Sequence, residues 1–319
     1  MNEYITNWMN VIDNVKDDHT HEIAWGKAII DCISLKQYEL KENIVYVTQY
    51  DIAKNIIRYY WNQTYFFELN QGNSSPVMLN LIKDMIEKYH SNDDSLKPWN
   101  EVEQYFLDRP EIYEVGIARF IHVANQNVAH RFNNLKKAKA ALYQLDRINK
   151  RLEFSLEEIE AIIEYEDVLM KLINYKWTQL LERYNVAPNI AKKIKASSEL
   201  KIKRSTNEKQ KNLLIEFFDN TIIRDFFTGE AIEEEFIEID HVIPWTFLYS
   251  DEIWNMVLVS TKKTQSRNQK APTKTEIEKL KRRNVVLCEK LQSTNRKEKR
   301  DMEFAIENKL VDKFFVDVQ

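Results

Sequence analysis

The stretch EIDHVIPWTFLYSDEIWNMVLVSTKKTQSRNQKAP, Glu238 to Pro272, decides the fold of the C-terminal part of this chain. The apolar runs FIEI and MVLV predict two short strands, and Pro244 ends the first of them. His241, the only histidine in the last 189 residues, directly follows Asp240, and Asn255 lies fourteen positions further on. The segment TKKTQSRNQK can begin a helix. The stretch therefore predicts the order strand, loop, strand, helix, with an Asp-His pair where the first strand ends.

The segment before this stretch, DFFTGEAIEEEF, predicts a hairpin that leads into the first strand. Its turn is Thr228-Gly229-Glu230, because glycine tolerates the backbone angles that tight turns require.

The composition of the whole chain is that of a folded protein rich in helices. Of its 319 residues, 44% are hydrophobic and 30% are charged, which excludes a disordered chain. Four glycines and six prolines are few, so we expect long helices with few tight turns. Residues 1–70 mix helical and short strand-like signals, and the pattern is helical from Asn100 to about Asn185. The strongest helix begins after Ser155 and extends through the segment that ends LLERY. The fold class predicted is α+β, mainly α-helical.

The first residues contain no basic segment followed by an apolar core, and no window approaches the eighteen apolar residues that a membrane span needs. Cys32 and Cys288 are isolated and no CxxC occurs, which excludes a zinc site built from cysteines. We therefore expect a cytoplasmic protein with no membrane partner.

Charge is distributed unevenly along the chain, although its net value is only −4. Residues 261–300 hold 14 Lys and Arg against 4 Asp and Glu, and residues 192–209 hold 7 against 2. Segregated basic charge of this kind favours a polyanionic partner, although a solvated helix face explains either run equally well when it is taken alone.

A domain boundary is predicted in the lysine-rich segment 185–211, where the helical pattern is interrupted. Residues 1–205 then form a mostly helical regulatory or recognition region, with a possible division into two subdomains near 95–105. Residues 206–319 form a second domain that contains the Asp-His pair and the basic C-terminal helices.

The Asp-His pair has residue types suited to metal-assisted hydrolysis. Neutral imidazole, with an ordinary pKa of about 6.5, can act as a general base at cellular pH. Mg²⁺ prefers oxygen ligands and keeps several of its waters, so one carboxylate, one side-chain amide and substrate phosphate oxygens suffice to hold it. The alternative is a strand that ends in two ordinary polar residues.

The motif IDHVIPWTFLYSDEIWNMVLV resembles the core of the HNH endonucleases, also called ββα-metal nucleases. FFTGEAI stands where many members have a cysteine-containing knuckle, here without the cysteines, as in the HNH modules of CRISPR effector nucleases. The resemblance covers residues 217–275, less than a fifth of the chain. It implies a C-terminal ββα-metal nuclease module within residues 206–319.

The resemblance also implies roles for three residues. His241 would be the general base that activates the attacking water, and Asp240 would be a ligand of the metal. Asn255 would brace the loop between the strands and so orient His241.

The third position of the motif departs from the family. Thr264 stands where the family has Asn or His, and Arg267 stands where it often has Lys. Asn268 lies one helical turn after Thr264, on the same helix face. Either Asn268, with Lys270 nearby, completes the metal site, or Thr264, Gln265 or a water does so in a weaker site.

Six basic residues are candidates for contact with nucleic-acid phosphates, because Lys and Arg supply most non-specific affinity for nucleic acids. They are Lys262, Lys263, Arg267, Lys270, Arg282 and Arg283.

The function implied is a metal-dependent HNH endonuclease that hydrolyses phosphodiester bonds of DNA, with double-stranded DNA favoured and Mg²⁺, or another divalent such as Mn²⁺, as cofactor. Family analogy adds a role in restriction or anti-phage defence, and the helical region would bind a partner protein or form an oligomer. The alternative is a nucleic-acid-binding or regulatory protein with a degenerate, weakly active or inactive HNH fold.

Overall fold

The computed structural model describes residues 2–15, 20–71, 77–90, 96–133, 140–202, 206–218, 222–264, 271–291 and 296–318. The chain divides into two compact units. The first unit comprises residues 1–185 and 190–202, and the second comprises residues 186–189 and 203–319.

The first unit is mainly helical, with one four-stranded antiparallel sheet in the order β1-β2-β4-β3. Its strands are β1 (Glu39–Lys41), β2 (Ile44–Thr48), β3 (Gln144–Asp146) and β4 (Arg151–Ser155). Its α-helices are α1 (Glu3–Asp13), α2 (His21–Ser34), α3 (Gln49–Tyr60), α4 (Val77–His90), α5 (Trp99–Leu107), α6 (Pro110–Val123), α7 (Ala129–Asn133), α8 (Leu156–Glu164), α9 (Glu166–Glu182) and α10 (Ile190–Ser198). Two π-helical segments, Trp61–Phe66 and Ala124–Val128, continue α3 and α6.

The helix predicted after Ser155 begins there but is interrupted. Ser155 and Glu158 form a reciprocal capping box at the start of α8. The single helix expected to follow is divided at Tyr165, which ends α8 and precedes α9. Glu166 and Asp167 then occupy the first turn of α9, where acidic side chains stabilise a helix N-terminus. Local charge therefore favours a new helix start at a position where apolar spacing alone predicts continuity.

The second unit combines a two-stranded antiparallel sheet with helices. Its strands are β5 (Ile237–His241) and β6 (Met256–Ser260). Its α-helices are α11 (Glu208–Glu216), α12 (Trp245–Leu248), α13 (Thr261–Thr264), α14 (Lys274–Lys290), α15 (Arg296–Glu307) and α16 (Leu310–Val318). The predicted order of strand, loop, strand and helix, and the prediction of a mainly α-helical chain with small sheets, are confirmed.

Strand β6 lies at the centre of the core of the second unit. All five of its residues are buried, as expected for a strand covered on both faces. The strand packs with α11 and α13, and the buried face of α14 supplies Ile277, Leu280 and Leu287 to the same apolar core. By contrast, β5 alternates a buried Ile237 with an exposed Glu238 and ends in half-buried residues. The residues at the C-terminal end of β5, including Asp240 and His241, are therefore partly accessible to solvent.

The predicted hairpin before β5 is reduced to one bridge. Arg224 pairs with Ala231 across a turn in which Gly229 has a φ of 76°. A 3₁₀ turn, Glu234–Phe236, then separates this bridge from β5. Strand β5 pairs with β6 instead, because that pairing buries β6 between apolar neighbours.

None of the helices in the described ranges is long and apolar enough to cross a bilayer.

Candidate active site

His241 is the last residue of β5 and lies opposite Met256 in the antiparallel register. Its side chain is 11% exposed, and its Nε2 atom is enclosed by protein. Strand β5 therefore presents the imidazole at the edge of the core, where one side of the ring is sheltered.

Asp240 precedes His241 and lies opposite Val257. One carboxylate oxygen, Oδ1, accepts a hydrogen bond of 2.8 Å from the backbone amide of His241. Among the described residues, no hydrogen-bond donor is recorded for the other oxygen. The residue as a whole is half-buried.

Asn255 joins the two ends of the loop between the strands and is fully buried. Its Oδ1 accepts from the backbone amide of Ile243 and its Nδ2 donates to the Ile243 carbonyl, both at 2.8 Å. In addition, the backbone amide of Val242 donates to the Asn255 carbonyl at 3.0 Å. Asn255 therefore lies across the loop and contacts it at Ile243, which is two residues after His241 in the chain. Its role in orienting the histidine remains a prediction.

Asp251 is a functional candidate that sequence reasoning missed. Its Oδ1 lies 3.3 Å from His241 Nε2, within ion-pair distance but outside hydrogen-bond geometry. The same oxygen accepts from the indole Nε1 of Trp245 at 3.1 Å and from Asn207 Nδ2 at 3.0 Å. The only available signal was an acidic residue in the loop after the Asp-His pair, which has no periodicity to distinguish it.

Asp225, which accepts hydrogen bonds from the turn before β5 and from the end of β6, was also missed. Its Oδ1 accepts from the backbone amides of Phe227 and Thr228, and its Oδ2 accepts from the amide of Ser260 at 2.8 Å. Burial alone raises the pKa of this carboxyl, but the backbone donors of Thr228, Ser260 and Phe227 lower the pKa overall. A single carboxylate therefore ties the glycine turn to the end of β6.

A divalent metal fits the donor chemistry of Asp240. HNH nucleases generally depend on a divalent metal, and a hard cation such as Mg²⁺ binds carboxylate oxygens while retaining waters. In the part of the chain that the structure describes, no group of three or more His, Cys, Asp or Glu residues could hold a metal. Asp240 would offer its second carboxylate oxygen to such an ion, and this role stays a prediction.

The predicted third ligand is not resolved between its two candidates. Arg267, Asn268 and Lys270 lie outside the described residues. Thr264 and Lys263 belong to α13, and the placement of their side chains is likewise outside the described part. Their roles stay predictions.

The remaining predicted phosphate contacts differ in their surroundings. Lys262 is exposed, lies 3.1 Å from Glu233 Oε1, and stands over the ring of Phe236. Arg282 is exposed on α14. Both side chains can reach solvent, where a phosphate would approach.

Arg283, the next residue on α14, has structural partners instead. Its guanidinium donates to the backbone carbonyls of Ile253, Trp254 and Met256 at 3.3, 3.3 and 2.8 Å. Burial lowers the pKa of Arg283 to about 9, so the group remains charged at neutral pH. The prediction that Arg283 contacts nucleic acid is not favoured by this geometry.

Comparison with known proteins identifies the family of this segment. Residues 225–273 match the family model of HNH endonucleases. The CRISPR-associated endonuclease Cas9 of Streptococcus mutans serotype c is 34% identical over 61 residues. The matched part is 18% of this chain and spans 4% of that relative's length. No solved structure matches the chain. The predicted resemblance of the C-terminal module to HNH endonucleases is therefore confirmed. The two matches support a nuclease as the class of protein.

Proposed function

We propose that this protein is a metal-dependent endonuclease that hydrolyses phosphodiester bonds of DNA. The observation that carries the proposal is the arrangement at the end of β5. There one carboxylate oxygen of Asp240 has no donor among the described residues, His241 follows Asp240 in the chain, and Asn255 braces the following loop from the position just before β6. The match of residues 225–273 to HNH endonucleases supports the same reaction class.

In the proposed reaction, His241 takes a proton from a water as the water oxygen attacks the phosphorus. One phosphorus–oxygen ester bond breaks, and the leaving oxygen takes a proton from solvent. General bases positioned in this way contribute roughly 10²- to 10⁴-fold to a rate. Asn255 acts indirectly, because it fixes the backbone at Ile243 and with it the direction of the loop after His241.

Asp240 would hold the divalent metal together with Asn268 or Thr264, and Mg²⁺ or Mn²⁺ suits this oxygen-rich set. When bound, such an ion stabilises negative charge on the cleaved phosphate. The hydrogen bond from the His241 amide to Asp240 keeps the carboxylate in one orientation.

The exposed Lys262 and Arg282 would contact the backbone of double-stranded DNA, and Lys263, Arg267 and Lys270 are proposed as further phosphate contacts. Contacts of this type carry no base information, so we expect cleavage with low sequence preference from this unit alone.

By analogy with free-standing HNH proteins, we place the protein in restriction or anti-phage defence in the cytoplasm. Residues 1–205 would then recognise a partner protein, a signal or a second copy of the chain, and residues 206–319 would cut.

Plasmid cleavage tests the proposal. Purified full-length protein is incubated with supercoiled plasmid and Mg²⁺ or Mn²⁺, beside His241→Ala and Asp240→Ala. We expect cleavage by the wild type, loss of at least about 10²-fold with His241→Ala, and none in chelator. Thr264→Ala and Asn268→Ala identify the third ligand, and single-stranded RNA replaces the plasmid in a parallel assay.

A second candidate is a nucleic-acid-binding or regulatory protein with an inactive HNH fold. Thr264 favours it, because a hydroxyl is a weaker metal ligand than the amide or imidazole found there in the family. Plasmid binding without cleavage, under every metal condition and with native partners present, would support this candidate and reject the first.

A further inference from the structure

We propose that Asp251 is the positioning residue of the site and that it determines which nitrogen of His241 accepts the proton. The inference rests on the proposed function, because it assigns His241 the role of general base. It concerns a residue ten positions after His241, outside the Asp-His-Asn motif that identified the site.

The carboxylate of Asp251 lies close to the enclosed nitrogen of the His241 ring. Asp251 Oδ1 lies 3.3 Å from His241 Nε2, and Nε2 is the enclosed nitrogen of the ring. In that enclosed position the negative charge of the carboxylate attracts the hydrogen of an N–H group and repels a nitrogen lone pair. Asp251 therefore favours the tautomer that carries its hydrogen on Nε2 and leaves the lone pair on Nδ1.

Asp251 is itself held in place by two hydrogen bonds to its Oδ1 atom. Trp245, the first residue of α12, donates to its Oδ1 from the loop, and Asn207 donates to the same oxygen from the start of α11. Trp245 is 7% exposed, so its indole cannot turn away to solvent without losing its packing. Two donors from separate elements thus fix the carboxylate before any substrate binds.

This arrangement permits His241 to act as a general base through Nδ1. When Nδ1 takes a proton from the attacking water, the ring becomes positively charged while Nε2 keeps its hydrogen. A fixed negative charge 3.3 Å away stabilises that cation without receiving a proton itself. The arrangement has the logic of a base whose other nitrogen is oriented by a carboxylate.

A purely structural role for Asp251 makes a different prediction. If the carboxylate only ties the loop to Trp245 and Asn207, an amide oxygen at the same position would serve, because both donors contact Oδ1. Asp251→Asn keeps that oxygen and the side-chain shape but removes the charge. The substitution therefore separates positioning of His241 from support of the loop.

The experiment compares the full-length wild type with Asp251→Asn and with Glu238→Gln. Glu238→Gln is the matched control, because it removes the same charge from an exposed position on β5. Steady-state plasmid cleavage gives kcat and KM, thermal unfolding gives the midpoint, and ¹⁵N NMR of the histidine ring gives the tautomer. We expect Asp251→Asn to lower kcat about 10- to 100-fold at unchanged KM and midpoint, and to reduce the Nε2–H tautomer of His241. We expect Glu238→Gln to resemble the wild type.

Several outcomes would overturn the inference. One is an Asp251→Asn protein with wild-type kcat, and another is a wild-type His241 that carries its hydrogen on Nδ1. Should the wild type cleave nothing, the proposed function fails, but the NMR comparison still decides whether Asp251 sets the tautomer.

Should Asp251→Asn fail to fold, Trp245→Phe replaces it, since this variant keeps a ring and removes one donor to Asp251. A fall in kcat at unchanged KM and a shift toward the Nδ1–H tautomer are then expected, and wild-type values for both would reject the inference.

Discussion

The side-chain amide of Asn255 hydrogen-bonds both backbone polar groups of Ile243, accepting from its N–H and donating to its C=O at 2.8 Å each. This pairing imitates one rung of a sheet beyond the end of the β5–β6 ladder. It ties the loop that follows His241 to the residue that precedes β6. A fully buried side chain therefore fixes the backbone two residues after the proposed base.

Removal of this rung is expected to destabilise the second unit. Asn255→Ala leaves two buried backbone groups without partners, at about 1–3 kcal/mol for each group. We therefore expect a loss of roughly 2–6 kcal/mol in the free energy of unfolding, measured by urea denaturation of the full chain. Asn255→Asp should be at least as unstable at pH 7, because a carboxylate oxygen would face the Ile243 carbonyl.

Asn308→Ala is the matched control for this measurement. Asn308 is exposed in the second unit, and its amide donates one hydrogen bond to Phe304. We expect its loss to change the free energy of unfolding by less than about 0.5 kcal/mol. Equal destabilisation by Asn308→Ala and Asn255→Ala would contradict the account of the rung.

Arg282 and Arg283 are adjacent in sequence but should fail in different ways. Arg282→Ala removes an exposed charge and should weaken DNA binding, with the slope of log affinity against log salt reduced by about 1. Arg283→Ala removes hydrogen bonds to three backbone carbonyls and should lower the unfolding midpoint instead. Fluorescence anisotropy across a salt series and thermal unfolding measure the two effects. An Arg283→Ala protein of normal stability with weakened DNA binding would reverse this assignment.

Asp225 is expected to make the second unit sensitive to acid. Its backbone donors lower the pKa of the folded state below the ordinary value of 3.8, so the unfolded chain binds the proton more tightly. The stabilisation is therefore present above the unfolded pKa and is lost as the pH falls through the folded pKa. Denaturation at pH 7, 5 and 3 should show a steeper acid loss in the wild type than in Asp225→Asn.

The amide in Asp225→Asn should also cost stability at pH 7, because it turns an NH₂ group toward a backbone N–H. Glu234→Gln, at an exposed position nearby, serves as the control and should keep the acid dependence of the wild type. Parallel pH profiles for the wild type and Asp225→Asn would refute the role assigned to this carboxylate.

Lys193 should make the stability of the first unit rise with pH as well, but in an alkaline range rather than an acidic one. It is fully buried on α10, and burial lowers its pKa from 10.5 to about 7, partly offset by Glu68. Between these values the unfolded chain binds more protons than the folded one, so stability rises with pH, by at most about 1.4 kcal/mol per pH unit. Lys193→Met should therefore be more stable relative to the wild type at pH 7 than at pH 10.

Lys192→Met provides the comparison for Lys193→Met. Lys192 is the exposed neighbour on the same helix, so its loss should leave the pH dependence unchanged. If the difference in unfolding free energy between Lys193→Met and the wild type stays constant from pH 7 to 10, the buried lysine is not the titrating group.

Local sequence pattern predicted the elements of the proposed site correctly. The apolar run FIEI before Asp240 predicted β5, and the run MVLV after Asn255 predicted β6. The end of β5 carries the predicted pair Asp240 and His241. These signals succeed because strand formation depends on side chains close together in sequence. The extended helix after Ser155 was wrong at Tyr165, because the acidic start of α9 competes with apolar spacing.

The sequence by itself determined which residue types could do chemistry and in what order they occur, because motif spacing is local. Only the tertiary structure decided which partners they have. Asn207 meets Asp251 across 44 positions, a contact without any periodic signal. Arg282 and Arg283 are equally basic in the sequence, yet successive helix residues point in directions about 100° apart, so one faces solvent and the other faces backbone carbonyls. Burial is a property of the assembled core. Lys193 is fully buried, although it belongs to the basic run of residues 192–209, in which the sequence does not distinguish it from the other lysines.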